Sequence, residues 1–365
     1  MNETPGVESR PGKGRIAASL GLFLLGFCVM AAMLHALVRD SLHLHADIRS
    51  EKLLMMQQWQ GKAVSSSFGS SHMHDGFDPR AFDDELQGTA LATRSVNGAV
   101  AGGSQSEQRV MALEFVRGLR WPPVDTGGQS QQACFVLLEI TAGANFTNDH
   151  LVHPRAINIY DWRTVRFIAQ LTGSSMGWVQ RWGRVGYAVA AAGLHYMNVG
   201  MVSSKIFSAP VDREMFLGET EDDRRGLIVD EMTPAIVHRV EVEFAQQPKV
   251  SRANMQTVLP GNIELLRELN DASRVRNVRF LYVVMPMVND LTEHPVYPET
   301  MAGPEGPEPI LNLARPDLYP ELYQVKYWHD GAHLNEAGAG FASRLLAEQI
   351  KAWYARNPAA ARCGG

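Results

Sequence analysis

Two runs of this chain are apolar almost without interruption: Cys134 to Thr141, CFVLLEIT, and Val278 to Val288, VRFLYVVMPMV. A strand with one face in water alternates apolar and polar residues, whereas a continuous apolar run belongs to a strand covered on both faces. Such strands call for helices above and below them. The flanking sequence offers these. Ser104-Gln105-Ser106-Glu107 has capping-box spacing ahead of Val110, Leu113, Val116 and Leu119. Ile263 to Arg276 is amphipathic, and Glu336 to Tyr354 reads as a closing helix. Ala63 to Phe68 and Thr93 to Val100 are shorter strand candidates. Strands alternating with helices predict an α/β fold, a three-layer domain with a mostly parallel sheet over residues 61–358.

The N-terminus has a different character. Ile16 to Val38 carries no formal charge. As a helix it would reach roughly 34 Å, enough for a bilayer core of about 30 Å. Arg10, Lys13 and Arg15 precede it, while Asp40 and Asp47 dilute the positive charge beyond it. The positive-inside tendency therefore puts residues 1–15 in the cytoplasm and everything after residue 38 outside. A cleaved signal peptide has a shorter apolar core and an A-x-A-like site, which this run lacks, so an uncleaved anchor is expected over 16–38. Residues 39–60 read as a juxtamembrane stalk.

A net charge of −5 and the absence of a basic stripe argue against nucleic acid as a partner. The three cysteines, Cys28, Cys134 and Cys363, match neither a zinc site nor a CxxC pair. They are expected to pack as small side chains, with no disulfide framework. Residues 160–256 read as a mostly helical insertion. Within it, Val185 to Val202 is apolar but short, which suits a buried or interfacial helix better than a second span. The proline-rich stretch 294–320 is expected to be irregular backbone, with a substrate-covering lid as one role for it.

Chemistry concentrates in two places. The first strand candidate ends in Gly69-Ser70-Ser71-His72, where small residues let a serine project from the sheet edge. Near the other end, Asp330 and His333 stand three apart ahead of a helix that Asn335 can cap. That spacing lets the carboxylate hold the imidazole Nδ1–H and leaves Nε2 free as a base. Ser71 with such a pair is an arrangement for nucleophilic acyl transfer. Backbone N–H groups at Ser71 and Gly102, with Asn145 as a side-chain donor, are candidates for the oxyanion site. His72, His74, Asp75, His329, Asp330 and His333 could instead be metal ligands, but their spacing completes no ligand run, and neither metal nor cofactor is expected.

Gly69-Ser70-Ser71, the glycine after the second strand and Asp330-x-x-His333, in the order Ser…Asp…His, resemble the SGNH (GDSL-like) hydrolase superfamily. The resemblance implies a flavodoxin-like domain in which Ser71 is the nucleophile, Gly102 an oxyanion donor, Asp330 the orienter and His333 the base. Gly-Ser-Ser together with an N-terminal anchor is similar to the membrane-anchored subset that includes the D-alanyl-transfer protein of lipoteichoic acid synthesis. That likeness implies an acyltransferase acting outside the cytoplasmic membrane, with a membrane-bound O-acyltransferase as partner and a polysaccharide hydroxyl as acceptor. An esterase or deacetylase using water, and a non-catalytic scaffold or glycan-binding subunit, are the alternatives.

Overall fold

The computed structural model describes residues 13–38, 48–119, 133–140, 159–171, 177–197, 225–227, 232–248, 251–273, 278–303 and 306–357. Five strands run parallel: β1 (Ser65–Phe68), β2 (Ser95–Asn97), β3 (Phe135–Glu139), β5 (Arg279–Val284) and β8 (Gly306–Asn312). They lie in the order β2-β1-β3-β5-β8, and β7 (Thr300–Gly303) adds an antiparallel edge to β8. A separate parallel pair joins β4 (Arg252–Met255) to β6 (Glu293–Val296). Among the parallel strands the chain goes from β1 to its neighbour β2, then returns to β3 on the other side of β1. In sheets of this order, ligands bind outside the carboxyl ends of the strands at that reversal.

The helices are α1 (Lys13–Val38), α2 (Ile48–Gln58), α3 (Ser71–Gly76), α4 (Pro79–Leu86) and α5 (Gln105–Gly118) in the first part of the chain. α6 (Trp162–Leu171), α7 (Trp178–Tyr196), α8 (Pro234–Ala245), α9 (Pro260–Ala272) and α10 (Glu336–Arg356) follow. Alternate residues of the two apolar strands feed separate cores, as the two-residue period of a strand requires. Val136, Leu138, Phe280 and Tyr282 pack with Met55, Met111, Val116 and Leu266 from α2, α5 and α9. Phe135, Leu137, Leu281 and Val283 pack with Met73, Phe82, Leu346 and Ile350 from α3, α4 and α10. Three layers result.

β1 is all but polar, SSSF, yet fully buried. Its hydroxyls find partners inside the sheet. Ser65 Oγ accepts from Phe135 N–H at 2.8 Å and lies 2.5 Å from the Thr93 hydroxyl, and Ser67 donates to Asn97 Oδ1 at 3.3 Å. Buried hydroxyls so bonded cost little.

Three expectations change. The proline-rich stretch is not irregular backbone, and β6, β7 and β8 occupy much of it. Ile310 N–H donates toward β7, to Glu299 O, and Leu313 N–H donates toward β5, to Val284 O. Alternation then points the donor-less nitrogens of Pro307 and Pro309 toward β5, which pairs with β8 only from Ile310 onward. No ladder bond is lost, which removes the argument for an irregular lid. Next, part of the expected stalk forms α2, and Met55, Met56 and Trp59 enter the core. Last, Cys134 is disulfide-bonded and so is more than a small packing residue.

α1 forms over Lys13–Val38, and its described side chains from Ala17 to Met33 are nearly all apolar and, Ala31 apart, exposed. Among the described residues no helix is long and apolar enough to cross a membrane.

Candidate active site

Ser71 is the first residue of α3, immediately beyond the end of β1. Ser70 caps that helix, its hydroxyl accepting from His72 N–H at 3.4 Å. As the first helical residue, Ser71 has an N–H with no intrahelical acceptor. Gly69 makes the tight turn possible. A Cβ there would run into the Glu139 carboxylate and stand 2.8 Å from Met73 Cβ. The far end of α3 is clamped by Asn97, at the end of β2, whose Nδ2 donates to the carbonyls of Met73, His74 and Phe77 at 3.2, 2.9 and 2.8 Å.

The loop before α10 brings the other two residues. Trp328 is completely buried, donates Nε1–H to Leu322 O at 2.9 Å and forms a bridge with Leu334. Asn335 caps α10 through Gly338 N–H at 3.0 Å, while its Nδ2 donates to Lys326 O at 2.9 Å. Val288 N–H donates to Gly331 O at 3.0 Å, which ties the loop to the turn that follows β5. Between these fixings Asp330 Oδ1 accepts the N–H groups of Ala332 and His333, both at 2.8 Å.

The three residues meet. His333 Nε2 lies 2.8 Å from Ser71 Oγ, and His333 Nδ1 lies 2.9 Å from each oxygen of Asp330. Burial would raise the Asp330 pKa, but the hydrogen bonds from His333 and from the two amides outweigh it and hold the carboxyl below its ordinary value. The hydrogen positions follow: an ionised Asp330 takes Nδ1–H, leaving the Nε2 lone pair for the Ser71 hydroxyl.

Gly102 sits on the loop after β2 with φ of 64°, a left-handed conformation that suits glycine. That loop lies against the nucleophile turn, since Val100 N–H donates to Gly69 O at 3.1 Å. Gly98 N–H donates to Ser67 O at 2.9 Å and anchors its start. Asn145 falls outside the described residues.

The sequence reading missed Glu139, the last residue of β3. It is buried and takes hold of both neighbours of Ser71. Its Oε2 accepts from Ser70 N–H at 2.5 Å, and its Oε1 accepts from the Ser70 hydroxyl at 3.0 Å and lies 3.1 Å from His72 Nδ1. Gln108 ties the same two strand ends together, donating Nε2–H to Phe68 O at 2.8 Å and Glu139 O at 2.9 Å. Burial works to lower the His72 pKa, but the hydrogen bond and charge of Glu139, aided by Asp75 and Asp290, raise it. Asp290 is itself pushed up to about 6 by burial, against the hydrogen bonds it accepts from Met287 N–H and Tyr323 OH. One signal was in the sequence: a carboxylate closing a run otherwise suited to burial on both faces.

The other histidines have separate places. His74 is buried rather than on a rim, with Nδ1 2.5 Å from Asp75 Oδ1. His329 Nδ1 lies 3.8 Å from Asp330 Oδ2. Among the described residues no three of His, Cys, Asp and Glu converge as metal ligands would. Two clefts lie away from Ser71, one of about 580 Å³ beside Phe167 and Glu268 and one of about 260 Å³ between α2 and α5. A serine, a base and an oriented carboxylate in one hydrogen-bonded line can carry out acyl transfer. No protein-family model, curated protein or solved structure matches the chain.

Proposed function

We propose that this chain is a membrane-anchored SGNH-type serine acyltransferase working outside the cytoplasm, which O-acetylates a cell-surface or exported polysaccharide. The observation that carries the reading is the line Ser71 Oγ to His333 Nε2, 2.8 Å, continued from His333 Nδ1 to Asp330. As Ser71 Oγ attacks the acyl carbonyl, His333 Nε2 takes the hydroxyl proton. The bond from the carbonyl carbon to the donor's leaving atom then breaks, and His333 returns the proton to that atom. In the second half a glycan hydroxyl attacks the acyl-serine, His333 takes its proton, and Ser71 leaves and is reprotonated. N–H groups of Ser71 and of the Gly102 loop serve the oxyanion. A polytopic membrane-bound O-acyltransferase is the proposed acyl donor.

Two features support the location. Over Ala17 to Met33, α1 turns apolar side chains outward, as a helix in contact with lipid does. Cys134 is disulfide-bonded, which suits an oxidising compartment. A second reading, an esterase, is favoured by the 25% exposure of the His333 side chain, which leaves water access to the base.

The test is intact-mass analysis of the full chain in detergent after exposure to a serine-reactive phosphonate or an activated acetyl ester. Wild type and Ser70→Ala should gain one adduct and Ser71→Ala none. Labelling of Ser71→Ala equal to wild type would sink the reading. Polysaccharide acetylation in cells with and without the chain then separates the roles. A loss of acetyl groups without the chain supports transfer, a gain supports an esterase, and no change supports a scaffold.

A further inference from the structure

The outward face of α7 is the feature that the chemistry leaves unexplained. Val179, Trp182, Gly183, Gly186, Val189, Ala190 and Met197 are all exposed, and they recur at helical spacing from one end of the helix to the other. None is charged. The opposite face is already satisfied, with Ala188, Ala191 and Ala192 completely buried against Ile159, Tyr160 and Ile168. A surface helix in water places its polar residues outward. This one is apolar on both sides, and nothing lies within 4 Å of where Cβ atoms would stand on Gly183, Gly186 and Gly193.

The surroundings say what covers the face. Aromatic residues mark both ends of the α6–α7 hairpin. Trp178 and Trp182 are 74% and 55% exposed at one end, and Trp162 stacks on Tyr196 at the other, with ring centroids 6.2 Å apart. Arg181 and Arg184 lie on α7 itself, while Arg163 and Arg166 line a cleft shared with α9, Arg166 4.0 Å from Glu264; the one described acid beside the hairpin in sequence is Asp161. Asp161 is engaged as a cap, accepting from Thr164 N–H at 2.7 Å. Exposed Trp and Tyr flanking an apolar stripe, with arginines beside it, are the composition of a helix lying in a bilayer interface that carries anionic headgroups. α7 also packs against α1, whose own apolar side chains face outward.

We infer that the α6–α7 hairpin is a second membrane-contacting element, lying flat in the headgroup region of an anionic bilayer with the Val179–Val189–Met197 stripe toward the acyl chains. The inference rests on the membrane location proposed above and not on the acyl chemistry. Two contacts instead of one would hold the α/β domain in a fixed orientation over the bilayer, so that Ser71 meets a membrane partner from one direction.

The test uses the full chain reconstituted into phosphatidylcholine–phosphatidylglycerol vesicles with brominated acyl chains. Flotation with the vesicles reports the anchor. The emission lost in Trp178→Phe/Trp182→Phe reports the face, because phenylalanine keeps the apolar surface. For an interfacial helix buried ~5–10 Å, that component should be quenched by about half. Val189→Glu, at an exposed position, should keep the detergent-state melting curve and flotation while abolishing the quenching. A chain that does not float refutes the membrane location and this inference with it. A chain that floats with Trp178 and Trp182 unquenched overturns the inference alone; if it then dimerises with rising concentration, the face belongs to a second copy.

Discussion

The imidazole rings of His72 and His333 stack with centroids 5.6 Å apart and planes 23° apart. Each ring gives its Nδ1 to a carboxylate, His72 to Glu139 and His333 to Asp330. Two His–carboxylate pairs thus stand side by side next to Ser71. Only the second can act on the hydroxyl, through Nε2. The first braces the turn that carries the nucleophile, and Glu139 favours the charged form of the His72 ring beside it.

Glu139→Gln should leave the fold intact and uncouple this brace. With the carboxylate gone, burial is opposed only by the more distant Asp75 and Asp290, and the His72 titration midpoint followed by NMR should fall. Displacement of the Ser70–Ser71 turn should slow acetyl-ester labelling by about 10- to 100-fold, as misplacements of about 1 Å do. An unchanged His72 midpoint would refute the role given to Glu139.

Asp330→Asn tests the tautomer. An amide can present its own N–H to Nδ1, which turns the wrong face of the ring toward Ser71. A loss on the order of 10⁴ in labelling rate is expected, as for serine hydrolases with this change, without loss of thermal stability beyond a few degrees. His333→Ala should be equally inactive, and a double variant no slower than either single would show that the two act as one unit.

Gly69→Ala places a methyl group against the Glu139 carboxylate and Met73 Cβ. Overpacking of this kind costs roughly 1–3 kcal/mol. For a domain of this size that is a fall of about 2–12 °C in Tm, by scanning calorimetry. Labelling at Ser71 should fall with it, since the same turn carries both. Gly102→Ala is the contrast, with open space around the added carbon but a left-handed φ to maintain.

Lys52 gives a pH test of folding. It is buried on α2 and donates from Nζ to the carbonyls of Asn97, at 3.0 Å, and Gly226. Burial pulls its pKa down to about 7, against Asp75 and Glu51, from 10.5. Between those values the unfolded chain binds the extra proton, so stability rises with pH from about 7 to 10.5. Urea unfolding between about pH 7 and 9 should show a slope near 1.4 kcal/mol per pH unit that Lys52→Met lacks. Identical slopes in the two proteins would contradict the burial argument.

Much of the layered fold was legible in the sequence because its strongest signals are local. CFVLLEIT and VRFLYVVMPMV became β3 and β5, and Ser104 caps α5 as its spacing with Glu107 indicated. The proline-rich stretch misled because proline reports only a missing donor. Whether that donor was needed depends on where β5 ends beside β8. The buried α2 was equally hidden, since LLMMQQW reads as stalk until α5 and the sheet are there to receive Met55 and Trp59.

The Ser71 motif shows the same division at the site. The chemical types and their chain order are written locally: a serine at a strand end, and an Asp-x-x-His turn ahead of a capped helix, whose Asp330–His333 contact spans one turn of backbone. That this turn reaches Ser71 across 262 residues, and that Glu139, 69 residues from Ser70, supports it, depends on long-range packing, and above all on strand register. Pairing Phe68 with Leu138 sets the carboxyl ends of β1 and β3 level, so Glu139 arrives beside the serine turn. No local pattern encodes which strand ends will be neighbours.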